Sequence, residues 1–331
     1  MSVTMLPSPA PRRRALLGAG LLGLLTACGA APDNRPHGGP KTRPVAEIDP
    51  DTAVRQRELR ATLALAAQYD AALAATPAPT ASLGPLRAQL TAQLTALGQP
   101  TGSGSGSPAA APAATAGASA STAAPVPAPG RAALAAAERA TVQGREDDLL
   151  AASPALARLI ASIGASGAQR AVLLGGSAPA AVPMPGTAAL AAPALAALQA
   201  ALAAENAAVY GYGVIGAQLS GGLRARASDS LAEHQARCAA LTQQIASASA
   251  TPAAAAPGYE LPFQVTGQDS AVRLAVLLEQ RLAAVYANGV QATAGALRAG
   301  AASALRQSAL DTLGWSGSGS AFPGLPERSA A

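Results

Sequence analysis

Two long segments of the chain share one pattern of apolar and polar positions. Leu190–Leu219 and Val272–Leu297 are rich in alanine and leucine, and each carries a single carboxylate inside its apolar pattern. In each segment a tyrosine follows that carboxylate after seven residues, and the pairs are Glu205 with Tyr212 and Glu279 with Tyr286. Seven residues make nearly two helical turns, so the acid and the tyrosine share one face of each predicted helix.

Two further segments complete a predicted four-helix bundle. The second helix covers about Leu223–Ile245, and the fourth runs from about Ala296 to Trp315. Between the second and third helices lie about twenty residues, 250–268, without helical pattern, which is unusually long for a connection inside one domain. Such a segment can run the whole length of a bundle. One long crossover at this place is typical of ferritin-like bundles, and we predict that architecture for residues 186–316.

We make further predictions for the crossover, the tail and one glycine-rich turn of helix. Tyr259, Leu261 and Phe263 alternate with other residues and predict an extended strap with one face on the helices. Trp315 and the tail segment 322–326 are expected to cover an end of the bundle. The run from Gly211 to Gly216 spells GxGxxG, but it follows helix rather than strand, so a dinucleotide site is excluded. These glycines are expected instead to allow a neighbouring helix or strap to approach closely.

Four more predicted helices precede this bundle. They cover residues 55–76, 83–98, 131–150 and 155–174, and Asp49 or Asp51 can cap the first. Ser153, directly before a proline, is expected to cap the fourth. The tract 99–129 is an uncharged run of alanine, glycine, serine and proline that we predict to be disordered.

The sequence therefore divides into predicted regions. We expect an N-terminal helical bundle at 46–175 with a disordered insert at 99–129, a linker at 176–185, the ferritin-like bundle at 186–316 and a tail at 317–331.

Composition supports an all-α fold and excludes one class of partner. Half of the 331 residues are apolar but only 2% are aromatic, so the core is built from alanine, leucine and valine, of which alanine and leucine are strong helix formers. The net charge of +5 includes Arg12, Arg13 and Arg14, which lie in a segment expected to be removed. Without them 20 basic residues face 18 acidic ones, a net charge of +2 without clusters, which argues against a nucleic-acid partner.

The N-terminus predicts export and lipidation. Three arginines precede a short apolar run, ALLGAGLLGLL, followed by Leu25-Thr26-Ala27-Cys28. The basic and apolar regions predict a secretory signal at 1–27, and Arg13-Arg14 resembles a twin-arginine export motif. Leu-Thr-Ala-Cys resembles the lipobox of bacterial lipoproteins, in which the cysteine is acylated. This resemblance implies a lipid anchor on Cys28 and a position on the outer face of the cytoplasmic membrane. The segment that follows is rich in proline and glycine and has few large apolar residues, which predicts a tether at 28–45.

Five sequence runs carry a resemblance to a known family. They are LQAALAAENAAVYGYGVIGAQL, EHQAR, YELPF, LLEQRLAAVYA and a closing W…FPGLPE, all within residues 186–326. Together they resemble the ferritin-like domain of unknown function found in actinobacterial lipoproteins. The resemblance implies a helical bundle and an envelope location, and it implies no established reaction.

The predicted bundle contains part of a metal-ligand set. A di-iron bundle of this type uses an acid from each of two helices and a Glu-x-x-His motif from each of the other two. Glu205 and Glu279 meet the first requirement, while the second helix offers His234 with Glu233 beside it, and the fourth helix has no histidine. The alternative is a hydrogen-bonded network of the two acids and His234 with Tyr212, Tyr286, Arg237 or Arg281, since buried acids must be paired.

Three classes of function follow from these candidates. We expect a non-catalytic envelope lipoprotein that contacts an unknown protein partner or acts as a scaffold. The alternatives are a protein that binds a small molecule or lipid in a cavity of the bundle, and a di-metal redox protein with iron or manganese.

Overall fold

Helices account for all the regular structure in the part of the chain that the computed structural model describes, residues 49–75, 83–98, 128–186 and 189–328. The N-terminal helices are α1 (Asp51–Ala75), α2 (Leu83–Ala96), α3 (Arg131–Gly144), α4 (Glu146–Ala151) and α5 (Pro154–Leu173). The C-terminal ones are α6 (Ala192–Gln218), α7 (Gly221–Ser247), α8 (Gln268–Ala292) and α9 (Gly295–Ser316), and a short 3-10 turn spans Pro326–Arg328. The all-α prediction is confirmed for these residues.

Several predictions fall outside the described residues. They concern the signal sequence at 1–27, Cys28, the tether at 28–45 and nearly all of the tract at 99–129. Among the helices that are described, none combines the length and the apolar character needed to cross a bilayer.

The last four helices pack around one core. Helix α6 lies against α7 and α8, and α8 lies against α9. At Gly211 of α6 an added Cβ would lie 2.5 Å from Leu278 Cδ1 of α8, so the leucine packs directly over this glycine and would have to move for a larger residue. The expected close approach is thus confirmed at Gly211, whereas Gly213 and Gly216 have no neighbour within 4 Å.

The connection between α7 and α8 contains no helix and lies along the bundle as an extended strap. Tyr259, Leu261 and Phe263 are half-buried while the residues between them are exposed, which confirms the predicted alternation. The ring of Tyr259 contacts Tyr210 of α6 at a centroid distance of 5.5 Å. Arg273 of α8 lies over the ring of Phe263 at 3.9 Å. The strap is therefore fixed to the outside of α6 and α8 by its alternate side chains.

Helix α5 is buried on nearly every side. It packs against α3 and α4 and also against α8 and α9, so its residues contribute to the same hydrophobic core as the C-terminal helices. A second, smaller apolar cluster lies among α1, α2 and α3. The described residues between 49 and 328 belong to one compact unit. The residues on both sides of the predicted linker at 176–185 therefore share a core, which the sequence had left open.

Two helix boundaries differ from the predicted ones. The predicted helix at 131–150 is two helices, because α3 ends at Gly144 and α4 begins at Glu146 with three acids in its first turn. Glycine weakens a helix interior and acids favour a helix start, so a break at Arg145 satisfies both tendencies. Helix α8 begins at Gln268, four residues before the predicted segment, and the Ser270 hydroxyl accepts from the backbone N–H of Gly267 at 3.2 Å.

Two predicted caps are present. Asp49 accepts from the backbone N–H of Asp51 with its side chain at 3.0 Å. Ser153 accepts from Leu156 N at 3.5 Å, and Pro154 begins α5.

The C-terminal tail packs onto α5, α8 and α9. Phe322 and Leu325 are buried in the main core, and Ser162 of α5 donates to the carbonyl of Pro323 at 2.7 Å. Gly324 has φ +77°, and a Cβ there would lie 2.6 Å from the carbonyl oxygen of Ala283, so the close approach of the tail requires glycine.

Candidate functional site

The tyrosines and glutamates of α6 and α8 form crossed hydrogen bonds. Tyr212 of α6 donates to Glu279 Oε1 of α8 at 2.6 Å, and Tyr286 of α8 donates to Glu205 Oε1 of α6 at 2.5 Å. All four side chains are at most 3% exposed. Each tyrosine thus reaches the acid of the opposite helix rather than the acid seven residues before it. The repeated spacing in the two segments produces two equivalent links between the helices.

His234 of α7 lies between the two carboxylates. Its Nδ1 is 2.7 Å from Glu205 Oε2, and its Nε2 is 3.0 Å from Glu279 Oε1. A carboxylate can only accept, so both ring nitrogens carry a proton and donate. Burial lowers the pKa of His234, but the hydrogen bonds and charges of Glu205 and Glu279 outweigh this and raise the pKa to about 9. The ring is therefore an imidazolium cation at neutral pH.

The two tyrosines stay protonated because of the same environment. Burial and the neighbouring charge of Glu279 raise the pKa of Tyr212 far above its ordinary value. Burial and Glu205 do the same to the pKa of Tyr286. Trp315 of α9 donates through its indole N–H to the Tyr212 hydroxyl at 2.9 Å, so the fourth helix also joins the network.

A second cation, Arg237 of α7, is surrounded by acids. It lies 3.2 Å from Glu233, 3.7 Å from Asp311 of α9 and 3.9 Å from Glu205. Burial and the charge of Glu279 raise the pKa of Asp311 to about 7, although Arg237 acts in the opposite direction. Gln307, one turn earlier on α9, donates to Asp311 Oδ1 at 3.0 Å.

The structure brings most of the candidate residues together. Glu205, His234 and Glu279 form one buried cluster with Tyr212 and Tyr286, which is the network weighed as the alternative to a metal site. Two candidates lie apart from it: the Glu233 side chain is 54% exposed and pairs with Arg237, and Arg281 is exposed on the surface of α8.

Sequence reasoning missed Asp311. It is the single acid of α9, and it faces Arg237 at the edge of the cluster. The criterion that selected Glu205, a lone carboxylate within an apolar helix, applies equally to Asp311 and would have found it.

The acids and the histidine of the cluster contact one another instead of converging on one point. A metal ion needs a lone pair on the imidazole and carboxylates that converge on one point. Here both nitrogens of His234 contact carboxylates, and the two carboxylates lie at opposite edges of the ring. Within the described residues no group of three or more acids, cysteines and histidines has a geometry that would hold a metal ion. His234 and Arg237 supply the positive charge that paired carboxylates require.

A cleft lies beside this cluster, between α7 and α9, with a volume of about 510 Å³. Tyr286 forms part of its wall, and residues 181–184 form another part. This short segment is held by Ser303, which accepts from Val182 N at 2.8 Å, and by Gln244, whose Nε2 donates to the carbonyl of Met184. Most other lining residues are small or apolar, and they include Ala236, Ala240, Leu241, Gly300 and Ala304.

Comparisons with known proteins concern the C-terminal part of the chain. Residues 197–327 match a domain of unknown function, DUF4439, and therefore carry a domain of this family. The chain is also similar to a conserved hypothetical protein from Mycobacterium tuberculosis whose crystal structure is known. Identity is 35% over 37% of this chain and 87% of that one, and the TM-score is 0.36. No curated protein matched. The match spans most of α6 and all of α7, α8 and α9, which carry the cluster.

Proposed function

We propose that this protein is a cell-envelope lipoprotein whose C-terminal ferritin-like bundle binds a small, largely apolar ligand in the cleft between α7 and α9. The lipid on Cys28 anchors it to the outer face of the cytoplasmic membrane. The bundle performs no redox chemistry and contributes a binding site on a rigid helical frame.

The cleft is the observation that carries this proposal. Its volume of about 510 Å³ lies within the range typical of small-molecule sites, which are mostly apolar with a few polar groups that orient the ligand. Charged and polar side chains occur in its wall beside the apolar ones, and they include Glu233, Arg237 and Gln307. The sequence alone favoured a scaffold with a protein partner, and the cleft is what favours a small ligand.

The buried cluster supports a binding role over a catalytic one. A catalytic group must reach the reacting atoms of a substrate. Glu205, Glu279 and His234 are at most 1% exposed, and both nitrogens of His234 are engaged by the two carboxylates. The cluster therefore connects helices, while the cleft beside it offers room for a ligand.

The anchor rests on the sequence around Cys28. A basic region, a short apolar run and Leu25-Thr26-Ala27-Cys28 occur in the order that bacterial lipoprotein signals require. A binding domain at the end of a lipid-anchored tether would act on ligands at or near the membrane surface.

The binding role is tested with phenylnaphthylamine, a dye whose fluorescence rises in apolar sites. The full-length protein should bind it saturably, near one dye per chain. Ala240 is exposed and lines the cleft, so Ala240→Trp should fill the space and abolish binding without unfolding the helix. Ala239→Trp is the matched control, because Ala239 is exposed on the same helix but does not line the cleft. Equal binding by the wild type and both variants would refute the cleft as the site.

A further inference from the structure

We infer that the ligand of this cleft is an elongated amphipathic cation, with an ammonium group at the end formed by Glu233 and Gln307 and an apolar chain along Leu241. This inference rests on the proposed binding function and adds the chemical class of the ligand.

The shape of the cleft sets the form of the ligand. Glu233, Arg237, Leu241 and Gln244 follow one another along one face of α7 and all line the cleft. Their eleven-residue span corresponds to about 16 Å of helix, so the cleft is elongated. At one end Arg237 approaches Asp311 of α9. At the other end the protein backbone at Met184 lies directly over Gly300, where an added Cβ would be 2.7 Å from Met184 Cα. One end is therefore charged and the other is closed by apolar groups.

The balance of charge at the polar end selects a cation. Glu233 lines this wall beside the cation Arg237, and behind them lie Glu205, Glu279 and Asp311 with the cation His234. Even with Asp311 only partly ionised near pH 7, the acids outnumber the cations. Both cations are already engaged, since His234 donates to two carboxylates and Arg237 is shared among three. An anionic ligand would meet no unpaired cation there and would be repelled by the surplus carboxylates.

Unpaired polar atoms around the cleft are acceptors. The Nε2 of Gln244 donates to the carbonyl of Met184, which identifies the other amide atom as Oε1, and this buried oxygen has no hydrogen-bond partner. Gln307 uses its Nε2 to bind Asp311, so it presents its carbonyl oxygen for further contacts. At the Glu233 end an ammonium group therefore complements the carbonyl oxygen of Gln307, whereas a carboxylate does not. The Gln244 oxygen lies at the other end of the cleft and can accept from a second donor further along the ligand.

Glu233 is the side chain that can pair with the ammonium group. It lines the cleft and is 54% exposed, so a ligand can reach it from solvent. Its present partner Arg237 keeps two other carboxylates, Glu205 and Asp311, when Glu233 turns to the ligand. Binding therefore exchanges one ion pair for another without leaving the arginine unpaired.

The test compares decylamine, decanol and decanoate, which share one apolar chain and differ in the polar group, by calorimetric titration of the full-length protein. Decylamine should bind about fivefold more tightly than decanol, the scale of a partly exposed ion pair, and decanoate should bind most weakly. Glu233→Gln should reduce decylamine to the affinity of decanol. Glu260→Gln, which removes the charge of an exposed acid on the strap, is the control and should change nothing.

The outcomes separate the two proposals. If none of the three compounds binds, or if Ala240→Trp leaves their binding unchanged, the proposed function itself fails. If all three bind and Ala240→Trp blocks them, but decanoate equals or exceeds decylamine, the binding function stands and the inferred ligand class is wrong. The same holds if Glu233→Gln leaves the affinity for decylamine unchanged.

Discussion

The charge on His234 predicts that the protein loses stability as the pH rises through mildly alkaline values. The pKa of this side chain is about 9 in the folded protein and 6.5 as its ordinary value. Because the folded value is the higher one, the stabilisation is fully present below pH 6.5 and is lost as the pH rises to about 9. The difference between the two values corresponds to about 3 kcal/mol. The free energy of unfolding should therefore fall by about that amount over this range.

The neighbouring acid adds to the trend at lower pH. The pKa of Asp311 is raised from 3.8 to about 7, so its effect also favours the folded state at low pH and is complete near neutrality. Measurements above pH 7.5 therefore isolate His234. Urea unfolding at constant temperature at pH 7.5 and 9 gives the free energies directly, and between these two values His234 should account for a fall of about 1.5 kcal/mol, half of the total.

A pair of variants provides the control. His234→Gln cannot carry the charge, so its free energy of unfolding should be lower than that of the wild type at pH 7.5 and nearly constant up to pH 9. His37, the other histidine of the chain, lies outside the described residues, and His37→Gln should retain the full dependence on pH. A wild type that is flat over this range, or a His234→Gln variant with the same slope as the wild type, would contradict the assignment of an imidazolium in the cluster.

Three further predictions address the anchor, the hydrogen bonds and the insert. Cys28→Ala should leave the protein in the aqueous phase of a detergent phase separation, whereas the wild type should enter the detergent phase; identical partitioning would refute lipidation. Glu205→Leu leaves the Tyr286 hydroxyl and a ring N–H of His234 without an acceptor, at about 1–3 kcal/mol for each stranded group by urea unfolding, while Glu205→Gln keeps one acceptor and should cost less. Deleting Thr101–Ala124 should leave the melting temperature nearly unchanged, and a large decrease would show that the tract is structural.

The pattern of apolar positions predicted the faces of the helices but not the partners of their side chains. The seven-residue spacing correctly places Glu205 and Tyr212 on one side of α6. It contains no information on which acid each tyrosine reaches, because that depends on how α6 and α8 pack. The crossed bonds, Tyr212 to Glu279 and Tyr286 to Glu205, are set by the distance between two helices about seventy residues apart in sequence.

The sequence did not predict that helix α5 is buried on nearly every side. Its polar residues resemble a solvent-facing stripe, yet Ser162, Ser166 and Arg170 are all fully buried. Each has a partner from a distant part of the chain: Ser162 donates to Pro323 O, Ser166 to Ser320 O, and Arg170 pairs with Glu138. Buried polar groups are stable when they are hydrogen-bonded, and a sequence does not show partners that lie 32, 154 and 161 residues away.

The arrangement of the candidate metal ligands also depends on how the helices pack. The sequence showed two acids and one histidine, a set compatible with either a degenerate metal site or a polar network. In the structure the ring of His234 lies between the two carboxylates and contacts both, which is the arrangement of the polar network. A single histidine can serve as a ligand or as a cation, and only the direction of its two nitrogens decides which.

The network and the cleft are coupled through the helices they share. Tyr212 and Tyr286 link α6 to α8, His234 links α7 to both, and Trp315 links α9 to Tyr212. Every helix of the bundle thus contributes a side chain to one hydrogen-bonded chain, and two of these helices, α7 and α9, are the walls of the cleft. A site held by packed helices and buried hydrogen bonds requires little reorganisation on binding, which lowers the cost of association. His234 and Arg237 allow the four acids Glu205, Glu233, Glu279 and Asp311 to lie close together. Because the acids outnumber these two cations, the edge of the cleft carries an excess of acidic groups, and this excess favours a cationic ligand.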